Sequence, residues 1–209
     1  MSELAKRLNQ CKKPAGVLGK VIAEGMNIGH FELTSWGLEK INIKNKDVIL
    51  DIGCGGGRTI NRMASIATEG KIFGIDYSLD CVKWSKDYNT QLVKTNRVEI
   101  FHASVEKIPF ENNKFDVISA VETIYFWPNL IESFKEVKRI LKPSGKFIII
   151  CEMYSSENFK ERNDKLIALS DMKIHTPKEL KGLLEKAGFN NITIDLMEER
   201  NWLCCICEK

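Results

Sequence analysis

Long apolar runs are missing from this chain. Even Phe147 to Cys151 falls far short of the roughly 20 residues that a membrane-spanning helix needs, so no membrane partner is expected. The first residues, Met1-Ser2-Glu3-Leu4-Ala5-Lys6-Arg7, carry no apolar core of the kind that marks a secretory leader. An excess of one charge is missing too. The net charge is +3, and Lys and Arg are scattered apart from short patches at Lys12-Lys13 and Lys44 to Lys46. These read as solvated surface, and charge makes no case for nucleic acid. The seven cysteines are an odd number, and Cys54, Cys81 and Cys151 fall within apparent secondary structure, as reduced thiols do in a cytoplasmic protein. Cys204-Cys205-x-Cys207 is one close set. Neighbouring residues of a strand point to opposite faces, so at most Cys205 and Cys207 share one, and a plain strand is the better reading. No metal ligand set is expected.

What is present is organised around Val48-Ile49-Leu50-Asp51-Ile52-Gly53-Cys54-Gly55-Gly56-Gly57-Arg58-Thr59-Ile60. Val48 to Ile52 reads as a buried parallel strand. The glycines allow a sharp turn and a close approach to a ligand. The spacing of Ile60, Met63, Ala64 and Ala67 then gives a helical face. Strand, Gly-rich turn and helix N-terminus together make a nucleotide or nucleoside site. The dinucleotide fingerprint needs a sixth-position glycine, where this chain has Arg58. The pattern D-x-G-x-G at Asp51-Ile52-Gly53-Cys54-Gly55 instead resembles the first motif of the class I S-adenosylmethionine-dependent methyltransferases. The resemblance implies S-adenosylmethionine as cofactor, with Gly53, Cys54 and Gly55 at the binding turn. It implies that Asp51 orients the turn or the cofactor's ammonium end.

At 209 residues, 44% of them hydrophobic, the chain suits one domain, 1–209. Residues 1–46 read as mainly helical, broken at Pro14-Ala15-Gly16 and again at a flexible Gly25 to His30 segment, and form a helical cap over the sheet's ligand edge. A second strand, Lys71 to Asp76, ends in Asp76-Tyr77-Ser78. Asp76 lies 23 residues after Gly53, near the distance at which a carboxylate reaches ribose hydroxyls, and Tyr77 would lie beside the adenine. The alternative is that Asp76 merely caps the next helix, a role Ser78 or Asp80 would fill equally well.

Further along, His102-Ala103-Ser104-Val105-Glu106-Lys107-Ile108-Pro109-Phe110, then Phe115-Asp116-Val117-Ile118, resembles the family's adenine-binding segment and fourth strand. The family has an acidic residue where this chain has Ser104, so a hydroxyl would meet the adenine without charge assistance. Val105 keeps the backbone role. Val121-Glu122-Thr123-Ile124-Tyr125-Phe126-Trp127-Pro128 follows the fourth strand. Val121 is assigned to the cofactor. The three aromatics either line an apolar acceptor pocket or pack the next helix. A helix to Leu141, the L-K-P-x-G break at Leu141 to Gly145 and the strand Phe147 to Cys151 also resemble the family. A mobile polar stretch is expected at Tyr154 to Asp164, a capping box at Thr176-Pro177-Lys178-Glu179, and a terminal antiparallel hairpin at Asn191 to Leu196 and Trp202 to Cys207.

The expected fold is α/β: a doubly wound, seven-stranded, mostly parallel Rossmann-like sheet with an antiparallel last strand and helices on both faces. The implied reaction is direct in-line methyl transfer, in which the protein positions both partners and excludes water. Should the acceptor need a base, His30 and Glu122 are the candidates, although His30 could be structural and Glu122 could bond the cofactor's amino acid end. His102 reads as packing and His175 as an aid to capping. No Asn/Asp-Pro-Pro-aromatic motif and no Pro-Cys pair stands where nucleic-acid methylating enzymes carry them, which favours a small organic acceptor. A non-catalytic S-adenosylmethionine or S-adenosylhomocysteine binding protein is the alternative, and a nicotinamide dehydrogenase is disfavoured by Arg58. The acceptor, the methylated atom and the oligomeric state are left open.

Overall fold

The computed structural model describes residues 3–209, with the side chains of the first few of these undescribed; Met1 and Ser2, part of the stretch read above for a leader, lie outside it. Three helices precede the sheet: α1 (Glu3–Lys12), α2 (Gly16–Gly29) and α3 (Phe31–Leu38). Then β1 (Val48–Ile52), α4 (Arg58–Ile66), β2 (Lys71–Asp76), α5 (Leu79–Tyr88), α6 (Thr90–Lys94), β3 (Val98–His102), β4 (Phe115–Val121), α7 (Leu130–Ile140) and β5 (Leu141–Cys151) follow in order. The chain closes with α8 (Lys160–Leu169), α9 (Pro177–Lys186), β6 (Asn190–Met197) and β7 (Trp202–Glu208).

The strands form one sheet in the order β3-β2-β1-β4-β5-β7-β6. The pairs within β3-β2-β1-β4-β5 are parallel, and β7 runs antiparallel to both β5 and β6. The expected doubly wound sheet with a reversed last strand is therefore observed. Strand order reverses between β1 and β4, which places a ligand crevice at their carboxyl ends.

Side-chain alternation splits the core in two. On one face Leu50, Ile118, Phe147 and Cys205 pack with Phe134 and Val137 of α7 and Leu180 and Leu184 of α9. On the other Ile49, Val117, Ile148 and Cys204 pack with Leu33 of α3, Ile60 and Met63 of α4 and Val82 of α5. Cys204 and Cys205 thus point to opposite sides, as strand geometry requires, and every cysteine among the described residues is free. No helix among them is long and apolar enough to cross a membrane.

Three expectations about local structure need correction. Gly25 to Gly29, read as a flexible loop, is the last part of α2, because that end is held by the core of the molecule: Asn27 Nδ2 donates to Gly56 O at 3.3 Å and Arg58 donates to Asn27 O at 2.8 Å. Tertiary contacts here override the poor helix propensity of glycine. Tyr154 to Asp164, read as mobile, begins with a buried Tyr154 and enters α8, with Asn163 buried and bonded to Tyr154 O at 2.9 Å. The strand expected at Phe147 to Cys151 starts earlier: the L-K-P-S-G segment ends α7, as expected, but also opens β5 as an irregularity, with Leu141 paired to Phe115 and Lys146 to Val117, and Ser144 at φ +61°. The capping box at α9 is present as read, with Thr176 and Glu179 each accepting from the other's N–H at 3.1 and 2.8 Å.

Candidate functional site

A cavity of about 360 Å³ opens at the carboxyl ends of β1, β2 and β4, beneath the α1–α3 segment. All eleven residues singled out from the sequence line it: His30, Asp51, Gly53, Cys54, Gly55, Asp76, Tyr77, Ser104, Val105, Val121 and Glu122.

The Gly-rich turn forms one wall. Gly53 and Cys54 donate their N–H groups to Ile75 O at 2.8 and 3.0 Å, tying the turn to β2. Gly53 has φ +74°, and a Cβ there would collide with the Thr123 methyl, so this position accepts only glycine without strain. Asp76, at the end of β2, is buried; Oδ2 accepts from Gly55 N–H at 2.9 Å and Oδ1 from Ser78 N–H at 2.8 Å. Burial pushes its pKa up, opposed by those N–H groups. The α5 cap is Ser78, whose Oγ accepts from Cys81 N–H at 3.3 Å, so Asp76 is not used as the helix cap. The carboxylate that holds the turn is Asp76 rather than Asp51. Asp51 is buried beside its register partner Ser119, whose hydroxyl donates to it at 2.7 Å, and burial pushes its pKa up to about 7.

Tyr77 stands half exposed at the rim. Its hydroxyl donates to Lys12 O at 2.8 Å, and the Lys13 ammonium lies 5.2 Å from its ring centre. Ser78 Oγ donates to Pro14 O at 2.6 Å, and Asp80 accepts from Gly16 N–H at 2.8 Å. The α1–α2 turn is thereby docked on the β2–α5 loop. Lys12 also pairs with Asp171 at 3.0 Å, on the segment between α8 and α9.

On the adenine side of the expected layout, Ser104 Oγ donates to Glu106 Oε2 and accepts from Glu106 N–H, both at 3.3 Å, while Val105 is buried. Glu106 lines the cavity as well and was not singled out from the sequence. Its signal was available: a carboxylate two residues beyond a serine that replaces an acid.

The loop after β4 forms the opposite wall. Glu122 adopts φ +60°, turning the chain into a short 3-10 segment, Ile124–Phe126. Of the three aromatics, Tyr125 and Trp127 are buried, Trp127 lying 6.4 Å from Phe147 in a stacked arrangement, and half-buried Phe126 also lines the cavity. Glu122 Oε1 accepts from Tyr125 OH at 3.0 Å and from Glu152 N–H. Burial, and after it the neighbouring Glu152, push the Glu122 pKa well up. His30 joins α2 to α3, and its Nε2 lies 3.9 Å from Glu152 Oε1. Burial lowers the His30 pKa against the pull of Glu152, which leaves a neutral imidazole near pH 7. The two candidate bases thus come together, with Glu152 as a third member that sequence reading missed. Glu152 follows a buried parallel strand directly, the position where the ligand edge of such a sheet lies. His102, by contrast, does not pack: its Nε2 sits 3.0 Å from Tyr77 O at the exposed end of β3. His175 precedes the α9 cap, with its Nε2 buried and without a hydrogen-bond partner among the described residues.

A family model described as a methyltransferase domain matches residues 50–149, the region from β1 through most of β5. That stretch of the chain is thus similar to the methyltransferase domain family, in line with the resemblance read from Asp51 to Gly55. Among relatives, the chain is 28% identical to the sterol 4-C-methyltransferase of Caenorhabditis elegans over 168 residues, covering 77% of this chain and 50% of that one. It is 23% identical to the demethylmenaquinone methyltransferase of Staphylococcus saprophyticus over 182 residues, covering 75% and 76%. A Haloferax volcanii methyltransferase solved in complex with a methyltransferase activator superposes with a TM-score of 0.79 at 17% identity, over 100% of this chain and 98% of that one. The chain spans about half the length of several curated relatives it matches.

Proposed function

We propose that this chain is a methyltransferase that moves the sulfonium methyl of S-adenosylmethionine to a small organic acceptor held in the cavity under the α1–α3 cap, all within one domain of residues 1–209. The observation that carries the reading is the convergence of the Gly-rich turn, Asp76, the Glu122 loop and the cap on one cavity at the topological switch point. Asp76 takes the ribose hydroxyls on the lone pairs that Gly55 and Ser78 leave free. Tyr77 flanks the adenine, and Val105 N–H and Ser104 meet its edge, with Glu106 supplying the charge that Ser104 lacks. Gly53, Cys54 and Gly55 approach the cofactor's amino acid portion with backbone, and Asp51 and Val121 bound its ammonium end.

The chemistry asks little of the protein at the methyl carbon. The sulfonium is already a good leaving group, so alignment and exclusion of water supply the rate. Half-buried Phe126 and buried Trp127 keep the acceptor end apolar. A neutral His30 and Glu122 are placed to take a proton from an acceptor that must lose one.

The test is calorimetric titration with S-adenosylmethionine and S-adenosylhomocysteine, followed by radiolabelled methyl transfer to a panel of small acceptors. Binding with turnover supports the reading. Binding without turnover on any acceptor favours a non-catalytic binding protein, and absence of binding by the folded protein overturns both.

A further inference from the structure

At the Glu122 end of the cavity, one side-chain atom each from His30, Glu122 and Glu152 lie within 4.8 Å of one another. The three come from the α2–α3 junction, the residue after β4 and the residue after β5, so only the folded chain assembles them. Glu122 spends Oε1 on Tyr125 and Glu152 N–H, and Oε2 has no partner among the described residues. Among the described residues the Glu152 carboxylate meets only His30, at 3.9 Å.

No lysine or arginine among the described residues pairs with either carboxylate, although cations are near. Arg162, whose charge reaches Glu122, is hydrogen-bonded to Asn163 and Asn201. Arg58 and Arg62 line the cavity but donate to Asn27 O, Phe31 O and Ser35. Lys12 is paired with Asp171. Two carboxylates and an imidazole therefore lie together with no cation of their own among the described residues, His30 and Glu122 lining the cavity and Glu152 beside them, an arrangement that favours a positive ligand and opposes a negative one.

We propose that His30, Glu122 and Glu152 form a cation subsite, and that the methyl acceptor is an amine whose nitrogen sits among them. This rests on the methyl-transfer reading above. An amine arrives as an ammonium ion, exchanges hydrogen bonds with water for bonds to the carboxylates, and passes one proton to the imidazole of His30. The freed lone pair attacks the methyl carbon, a nitrogen–carbon bond forms, and the carbon–sulfur bond breaks with its electron pair going to sulfur. The products are S-adenosylhomocysteine and a methylated ammonium, and the proton on His30 leaves to solvent. Phe126, lining the same space, would face the organic part of the amine.

The experiment is calorimetric binding of 2-phenylethylamine and its neutral isostere 2-phenylethanol, each with and without S-adenosylhomocysteine, to wild type and Glu152→Gln. The amine should bind the S-adenosylhomocysteine-loaded protein about tenfold or more tightly than the alcohol, and Glu152→Gln should erase most of that preference. The S-adenosylhomocysteine affinity of the variant should stay within about twofold of wild type. Equal binding of amine and alcohol, binding of neither, or a preference that survives Glu152→Gln overturns the proposal. A manganese titration is the last arm: manganese binding that is lost in Glu152→Gln and excludes the amine makes this a metal site instead. Failure of S-adenosylhomocysteine to bind sinks the methyl-transfer reading, while the amine preference without it still decides whether a cation subsite exists.

Discussion

Asp76 Oδ2 accepts a hydrogen bond from Gly55 N–H at 2.9 Å, so the end of β2 sets the shape of the turn that follows β1. One carboxylate thereby clamps the turn, and the ribose role proposed for it would use the same group. Asp76→Ala should weaken S-adenosylhomocysteine by about tenfold or more, equivalent to about 1.4 kcal/mol. It should also cost roughly 1–3 kcal/mol of stability, because Gly55 and Ser78 N–H lose their buried acceptor. Calorimetry and urea unfolding read the two effects separately, and an unchanged affinity would remove Asp76 from the cofactor site.

Gly53 and Thr123 are linked by space. Gly53→Ala meets both a left-handed backbone, at φ +74°, and the Thr123 methyl. The expected loss is about 1–3 kcal/mol from the backbone, with the collision added. Thr123→Ser removes the methyl while keeping a hydroxyl to donate to Ile52 O, as Thr123 does at 3.3 Å. In the Gly53→Ala background it should recover part of the loss and never all of it. A double-mutant cycle of unfolding free energies measures that coupling.

Asp51 makes stability depend on pH. Its folded pKa stands at about 7 against an ordinary 3.8, so the folded state holds a proton that the unfolded chain releases. Stability from this group is therefore intact below about pH 4, falls as the pH rises through the window between the two values, and stays low above it. Asp51→Asn can still accept from Ser119 and carries no charge to bury. Relative to wild type it should gain on the order of a few kcal/mol between about pH 4 and pH 8. Urea unfolding at both ends of that range gives the answer, and a pH-independent difference would refute it.

The aromatic loop should divide in its response. Trp127→Ala empties a buried site against Phe134 and Phe147 and should cost about 3–5 kcal/mol. Phe126→Ala, at a half-buried cavity position, should cost less than half as much and act instead on acceptor KM. Thermal unfolding and steady-state kinetics on both variants check the division, which fails if Phe126→Ala is the more destabilising.

The docking of Tyr77 on Lys12 O and Ser78 on Pro14 O holds the α1–α2 turn over the cavity. Tyr77→Phe removes one of those bonds and should speed amide hydrogen exchange in α1 without changing exchange in β1 or β4. Equal protection of α1 in the variant would show that the hydroxyl does not secure it.

Local chemistry alone determined a good part of this protein. A run such as Val48 to Ile52 must be buried on both faces, glycines must turn where Gly53 does, and Thr176 to Glu179 satisfies its own helix end. Those are short-range consequences of side-chain volume, backbone freedom and hydrogen bonding, and they carried the strand–turn–helix unit and the terminal hairpin, while the sheet's overall topology was read through the family resemblance. Tertiary structure decided what depends on distant parts meeting. Gly25 to Gly29 is helical because Asn27 reaches Gly56, and Asp76 rather than Asp51 clamps the turn because β2 ends beside it. Glu152 acquires meaning only when β5 brings it to His30 and Glu122. No local pattern in the sequence encodes such meetings, because the energy that selects them comes from burying surfaces contributed by separate elements.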